Sequence, residues 1–206
     1  MTYYKFLLPD GATPQGYGRW PLDGSWLPKL TGNLIPCQHG YHVMSDVDLT
    51  EWCGPYDLWT VDIKYKPVPH NNKTVVRTAR LVDKVGSLDD RKLRLFAADC
   101  AERVLPLFEA KRPGDDRPRK AIEAARAYAN GEITAAAWAA AWAAARAAAG
   151  DAAWDAAWDA AGAAAWDAAG DAAWAAAGDA AGVAAWDAER QWQAARLIAY
   201  AQGGEQ

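Results

Sequence analysis

The chain has 206 residues and a mass of 22.3 kDa, which allows one large domain or two small ones with a substantial core. Hydrophobic residues make up 51% and charged residues 23%, a balance typical of soluble globular proteins. The net charge of −4 argues against a general nucleic-acid binder and against a protein that binds anionic membranes. Three cysteines are too few for a disulfide framework, and neither a signal-peptide pattern nor a membrane-spanning run is recognisable. We therefore expect a cytoplasmic protein.

The first 86 residues mix glycine, proline, aromatic and β-branched residues, which favours a small α+β unit. Strands are predicted at Tyr3–Leu8, Leu34–Met44, Asp57–Tyr65 and Thr74–Val82. Gly40 marks a bend or bulge in the second of these, and Pro67–Asn72 is a predicted turn. Ser45, with Asp48 three residues later, is the predicted N-cap of a short helix. The strands are expected to form an antiparallel sheet.

Beyond residue 86 almost every segment favours helix. Ser87 is the predicted N-cap of the first helix, and Pro106 should kink this helix or start its last turn. A polar loop then leads to a second helix over Lys120–Tyr128. The predicted fold class is α+β in two parts. These are a small antiparallel-sheet domain over residues 1–86 and an all-α, Ala/Trp-rich antiparallel helical domain over residues 87–206.

Residues 135–188 form a near repeat in which 33 of 54 residues are alanine. Every fourth residue from Trp138 to Trp186 is Trp, Gly or Arg, and a second column from Asp151 to Asp187 contains Asp, Ala and Val. Each column comprises single-base variants of one codon, as slippage of a twelve-base DNA unit would produce. Because a four-residue step overshoots a helical turn by about 40°, the Trp column winds around a helix. Short antiparallel helices packed around tryptophans are predicted; an extended, self-associating helix is the alternative.

The repeat is also strongly acidic, since residues 147–189 carry eight acidic side chains and no basic one. Carboxylates four residues apart lie about 6 Å apart along a helix axis, which resembles phosphate spacing in nucleic acids. The candidate binding residues are Asp151, Asp155, Asp159, Asp167, Asp171, Trp154, Trp158 and Trp166. A DNA-mimic inhibitor is one interpretation, and a solvated acidic face that keeps the helices soluble is the other.

Cys37, His39, His42 and Cys53 are the only cluster with the chemistry of metal ligands. Their spacing, C-x-H-x₂-H-x₁₀-C, matches no common zinc motif, and no CxxC pair is present. Structural cysteines and hydrogen-bonded histidines are therefore predicted, with a zinc site as the alternative. No phosphate-binding loop, nucleophile elbow or dinucleotide fingerprint is present either.

The order of strand, capped short helix and strand over residues 40–63 resembles part of small ADP-ribosyltransferase-like folds. Sites of that kind combine a His or Arg, a Tyr or Ser, and an acid around NAD. The resemblance implies Arg19, Tyr41, His42 and Glu51 as candidates for those roles. Because no full motif triad aligns, we assign no catalytic residue, and an NAD-using enzyme is an alternative function.

Two further segments resemble known families. The motifs DCAERVLPLFE and RPRKAIEAARAYANGEIT resemble the "putative immunity protein" family, alanine-rich helical proteins encoded near bacterial toxin loci. The segment IPCQHGYHVMSDVDLTEWC resembles an uncharacterised phage-protein domain with a C-x₂-G-[FY]-H core, here Cys37 to His42. Neither family supplies catalytic residues. The resemblance implies an accessory protein of a mobile element that acts inside bacteria.

The leading hypothesis is a non-enzymatic binding protein of a phage or mobile element, acting through its acidic, Trp-bearing helices. Its expected partner is a protein, either a toxin or a component of host defence. We expect no cofactor, no metal site, no membrane association and no direct nucleic-acid binding. A self-assembling structural protein is a third hypothesis, and a homo-oligomer is compatible with it.

Overall fold

The computed structural model describes the backbone of residues 1–159 and 180–204, and the side chains of residues 1–147 and 186–204. The strands are β1 (Tyr3–Leu7), β2 (Tyr41–Val43), β3 (Asp57–Ile63), β4 (Val68–His70), β5 (Lys73–Val76) and β6 (Ala79–Ser87). A 3-10 helix at Asp46–Glu51 lies between β2 and β3. The helices are α1 (Asp90–Lys111), α2 (Arg117–Ala129), α3 (Ala135–Asp159) and α4 (Ala180–Ala201). The predicted α+β class, with antiparallel sheets before the helices, is confirmed.

The chain divides into two compact units. The sheet unit consists of Met1–Asp90 together with Ala188–Gln206, and the helical unit consists of Arg91–Asp187. The C-terminal part of α4 therefore belongs with the strands. The division into independently folding domains at residue 86 stays a prediction.

Two three-stranded antiparallel sheets form the sheet unit, in the orders β1-β3-β6 and β2-β5-β4. Tyr4 of β1 and Met44, which follows β2, exchange two backbone hydrogen bonds of 2.9 and 3.0 Å. These bonds tie the two sheets together and bring β1 beside β2. The core between them contains Leu7, Trp20, Leu27, Val43, Val61, Val76, Ala79 and Leu81.

The segment Thr74–Val82, predicted as one strand, is two strands in different sheets, because side chains in its middle bond elsewhere. Thr78 Oγ1 donates to the carbonyl of Leu27 (2.6 Å), and Arg77 Nη1 donates to the carbonyl of Gly32 (2.5 Å). These bonds to the preceding loop hold the chain where it leaves β5 and enters β6. The prediction of a single strand was wrong here.

Two more local predictions need correction. Pro67–Asn72 contains β4 as well as a turn, because Asn71 adopts a left-handed φ of 48° that closes a β4–β5 hairpin. In the segment predicted as a broken strand, only Tyr41–Val43 forms a strand, and isolated bridges join Ile35 to His39 and Met44 to Tyr4. Gly40, with a φ of 149°, lies where this pairing begins, so the predicted bend is at the right residue.

The two predicted serine caps differ. Ser45 precedes the 3-10 helix as expected, but its hydroxyl donates to the Asp48 carboxylate (2.6 Å) instead of capping the backbone. Ser87 is not a helix cap: it is the last residue of β6, and its hydroxyl donates to Asp57 Oδ1 (2.6 Å). Helix α1 accordingly begins at Asp90.

The C-terminal part of α4 is fixed within the sheet unit by polar and apolar contacts. Arg190 donates to the carbonyl of Val47 (2.9 Å) and pairs with Asp48 (2.9 Å), both in the 3-10 helix. Further along α4, Leu197 is fully buried. A Cβ at Gly86 would overlap the carbonyl of Ala201, so only glycine permits this close approach of β6 to the end of α4.

In the helical unit, α1 and α2 are joined by ion pairs around an apolar contact. Arg126 of α2 pairs with buried Asp99 (2.7 Å) and with Glu102 (2.5 Å), both on α1. Buried Leu105 and Ile122 belong to the apolar cluster of this unit. Pro106 lies inside α1, as the sequence predicted.

Candidate functional site

The predicted binding residues of the repeat fall on α3 and beyond it. The backbone is helical at Asp151, Trp154, Asp155, Trp158 and Asp159, all of which lie in α3. Their side chains, and the whole of Trp166, Asp167 and Asp171, lie outside the described residues. The assignment of these eight residues to a binding surface therefore stays a prediction.

The described start of α3 shows the surroundings of Trp138 and Trp142, the first two tryptophans of the four-residue repeat. Trp138 stacks on Tyr128 of α2, with ring centres 5.3 Å apart and an interplanar angle of 12°. Trp142 is 50% exposed, and the Arg146 guanidinium lies 4.7 Å from its ring centre. Because each four-residue step turns about 40° around the helix, successive tryptophans cannot all face α2. One tryptophan packs between helices, and the next is half exposed.

The sheet unit contains a second candidate site, a cavity of about 500 Å³. It opens beside β1, β2 and β5 and the loops near them. Its lining includes Lys5, Thr13, Tyr17, Trp20, Cys37, Tyr41, His42, Trp52 and Lys73. A cavity of this size is typical of small-molecule sites, which span about 300 to 1,000 Å³.

The charged groups of this cavity are cationic. Lys5 is only 9% exposed, its Nζ donates to the carbonyl of His42 (3.0 Å), and burial followed by repulsion from Lys73 lowers its pKa to about 8. Burial, then the neighbouring Lys5 and Lys73, also lowers the pKa of His42. None of the aspartates and glutamates whose side chains the structure describes lines the cavity. The site is therefore electropositive in a protein that is acidic as a whole.

The histidine of the cavity has a defined tautomer. His42 Nε2 accepts a hydrogen bond from the backbone N–H of Cys37 (3.1 Å), so the proton of the neutral ring is on Nδ1. Cys37 adopts a left-handed φ of 64°, which supports this contact from the loop before β2. His42 therefore provides an N–H donor at Nδ1.

Aromatic rings form much of the remaining wall. Trp20 and Tyr41 meet edge to face with ring centres 6.1 Å apart, and the Tyr41 hydroxyl donates to the carbonyl of Pro28 (3.0 Å). Trp52 donates its ring N–H to the carbonyl of Asn72 (2.9 Å), and Lys73 Nζ lies 5.0 Å from its ring centre. These contacts fix the orientation of the rings.

The four candidates for an ADP-ribosyltransferase-like site are not brought together. Tyr41 and His42 line the cavity, but Arg19 and Glu51 do not. Arg19 pairs with Asp10 (2.7 Å), and Glu51 accepts from Asn72 Nδ2 (2.5 Å). An ADP-ribosyltransferase-like site would place an acidic side chain beside Tyr41 and His42, and none of the described acidic residues lies there.

The cysteines and histidines also have separate partners. His39 Nε2 bonds with the carbonyl of Thr31 (2.8 Å), and Cys53 Sγ donates to the carbonyl of Thr50 (3.2 Å). Within the described side chains, no group of three or more His, Cys, Asp or Glu is arranged to hold a metal ion. Among the described helices, none combines the length and apolarity needed to cross a membrane.

The sequence indicated only part of the cavity, through the candidates Tyr41 and His42, because the lining residues are spread from Lys5 to Lys73 and meet only through the β1–β2–β5 arrangement. The available local signal was Lys5 itself, an isolated charge in the apolar strand segment YYKFL. Such a charge in a strand that is buried at its neighbours requires a polar or ligand-filled environment.

Comparison with known proteins gives one family. The family model described as "Imm-5 like putative immunity protein" matches residues 83–200. The match begins within β6 and ends at Tyr200 in α4, so it covers α1, α2, α3 and all but the last residue of α4. Searches of curated proteins and of solved structures gave no match. The N-terminal resemblance to a phage-protein domain stays a prediction.

Proposed function

The chain belongs to this immunity-protein family, whose model covers more than half of it, and from that premise we propose that it neutralises a protein toxin by binding it. The observation that carries the proposal is the location of the match, which comprises the helical unit and both of its connections to the sheet unit. A component of host defence is a second partner class for the same mode of action.

We place the partner contact on the acidic, Trp-bearing segment of the repeat. At about 100° per residue, helix positions 151, 155 and 159 of α3 share an arc of about 80°, and positions 154 and 158 lie beside it. Carboxylates adjoining aromatic rings suit a partner with a basic surface, such as the nucleic-acid-binding face of a nuclease toxin. Aromatic side chains also supply much of the binding energy at protein interfaces.

We further propose a phage or another mobile element as the genetic source, and the bacterial cytoplasm as the site of action. The support is the C-x₂-G-[FY]-H segment at Cys37 to His42, which resembles a phage-protein domain. An intracellular site also agrees with the cysteine content, because three cysteines are too few for a disulfide framework and thiols persist in reducing compartments.

The proposal is tested by co-expression in bacteria with nuclease toxin genes encoded beside members of the family. The wild-type chain should restore growth, and the toxin should co-purify with it at low salt. Replacement of Asp151, Asp155 and Asp159 by Asn should weaken toxin binding about tenfold or more, because three attractive charges are lost.

A matched control replaces three exposed acids elsewhere in the chain: Asp83→Asn, Glu123→Gln and Glu132→Gln. It changes the net charge equally but leaves the repeat intact, so toxin binding should stay near the wild-type value. Equal loss in both variants would refute the acidic-segment contact, and failure to protect against every such toxin would refute the immunity function. Circular dichroism checks that each variant is folded.

A further inference from the structure

We propose that the cavity of the sheet unit is a binding site for a small organic anion that carries a planar ring, of the nucleoside monophosphate class. The site lies within residues 5–73, outside the segment that the immunity family covers, and it is independent of toxin binding. Three features of the cavity support the proposal: an uncompensated cationic centre, aromatic walls and unused polar groups.

The cationic centre lacks a counter-ion. Lys5 Nζ has a backbone carbonyl as its hydrogen-bond partner, and the described side chains include no ion pair with Lys5 or Lys73. A buried ammonium without an anion destabilises a fold, because it has lost water without gaining an opposite charge. A phosphate or carboxylate group in the cavity would compensate both lysines. The absence of acidic lining residues gives the same preference, since a cationic ligand would meet only repulsion.

The aromatic walls define the rest of the ligand. Trp20 and Tyr41 lie near Lys5, and Trp52 lies near Lys73, so each cation has a neighbouring ring face. A flat ring attached to the anion can stack on the partly exposed ring of Tyr41 or Trp52 while its charge reaches the lysines, and such stacking contributes substantially to nucleotide binding. The exposed Tyr17, which also lines the cavity, could cover the ring from the loop between β1 and β2.

Polar groups remain available for the non-ring part of the ligand. Thr13 lines the cavity and is 7% exposed, yet its buried Oγ1 has no hydrogen-bond partner. Buried hydroxyls are almost always hydrogen-bonded, so an unpaired one in a cavity wall indicates a missing partner. His42 adds the Nδ1–H donor that follows from its bond to Cys37. A sugar hydroxyl or phosphate oxygen would accept from His42 Nδ1–H, and rotation of the buried Thr13 side chain towards the cavity would let its hydroxyl bond to the same ligand.

Isothermal titration calorimetry of the full-length protein tests the proposal with defined probes. AMP and UMP supply an anion and a ring, adenosine supplies a ring alone, and inorganic phosphate supplies an anion alone. At least one nucleotide should bind, about tenfold or more tighter than adenosine and phosphate, because only it engages the lysines and the rings together.

Variants then locate the binding. Lys73→Gln should weaken nucleotide binding about tenfold, since it removes one charge-assisted contact. Lys66→Gln is the matched control, because Lys66 is exposed and outside the cavity, and it should bind as the wild type does. Thr13→Val, which removes the hydroxyl while keeping the shape, should weaken binding severalfold and leave the fold intact.

Three results would overturn the proposal. One is the absence of binding by both nucleotides at millimolar concentration. Another is phosphate binding as tight as nucleotide binding, which would remove the ring from the ligand class. The third is an equal effect of Lys73→Gln and Lys66→Gln, which would place the nucleotide outside the cavity.

Discussion

Lys5 is the residue at which folding and binding have opposing requirements. It occupies a buried position of β1 between Tyr4 and Phe6, where an apolar side chain would pack without loss of hydration. Proteins tolerate such unfavourable residues mainly at functional sites, where stability is exchanged for binding. The low exposure of Lys5 is thus an argument for a bound ligand, and this argument does not depend on the aromatic walls of the cavity.

The burial of Lys5 makes the free energy of unfolding depend on pH, and the shifted pKa of Lys5 sets the sign of that dependence. The pKa of Lys5 is lowered from 10.5 to about 8, by burial first and by Lys73 second. Between these two values the unfolded chain binds a proton that the folded chain does not, so stability rises with pH across that window. Below pH 8 Lys5 is protonated in both the folded and the unfolded state, and the folded state carries the full free-energy cost of burying the ammonium group. His42, with its lowered pKa, and Tyr41, with its raised pKa, are neutral where Lys5 titrates.

Lys5→Met should therefore stabilise the protein by about 1 to 2 kcal/mol at pH 7, after allowance for the lost bond to the His42 carbonyl. The gain should shrink as the pH rises from 8 towards 10.5. Urea unfolding at pH 7 and pH 10 measures both effects. A variant that is less stable than the wild type at pH 7 would contradict the cost assigned to this lysine. Nucleotide binding should weaken in the same variant, so stability and binding change in opposite directions.

At the scale of elements, one arginine supplies polar contacts that hold α4 in the sheet unit. Arg190 bonds to the Val47 carbonyl, to Asp48 and to Glu51, all in the 3-10 helix. Arg190→Met keeps an apolar stem but leaves the half-buried acceptors without this donor, so the loss should be about 1 to 3 kcal/mol of unfolding free energy.

Gln191→Met is the control for this substitution, because the neighbouring residue on α4 is exposed. It should change the unfolding free energy by less than about 0.5 kcal/mol. Chemical unfolding curves compare the two variants directly. A similar effect of both substitutions would show that the arginine does not hold α4.

Strands β1 and β3 and helix α2 could be predicted from sequence because their patterns are local. The division between β5 and β6 could not, since it depends on bonds from Thr78 and Arg77 to a loop some 45 to 51 residues earlier in the chain. The docking of Arg190 joins residues 143 positions apart, and no local pattern encodes such a contact. The same reason applies to the cavity, whose lining residues lie far apart in the chain, whereas the repeat is a local pattern.

At the scale of the whole molecule, the boundaries of the family match differ from the boundaries of the two compact units. The match runs continuously over residues 83–200, whereas the sheet unit combines the N-terminal strands with the end of α4. Four apolar residues of α4 in this unit are buried: Ala194, Leu197, Tyr200 and Ala201. A sheet unit without them would expose part of its core to water.

This arrangement predicts how fragments behave. Residues 1–90 alone should fail to unfold cooperatively or should aggregate, because they lack the part of α4 that belongs to the same compact unit and carries buried apolar side chains. The same residues joined through a long Gly/Ser linker to residues 188–204 should recover a cooperative transition, measured by circular dichroism during thermal unfolding. A linked fragment carrying Leu197→Asp is the control, and it should behave like residues 1–90 alone, since a charge would replace a fully buried side chain. Cooperative folding of residues 1–90 without α4 would instead support the domain boundary near residue 86 that the sequence predicts, with α4 as an accessory contact.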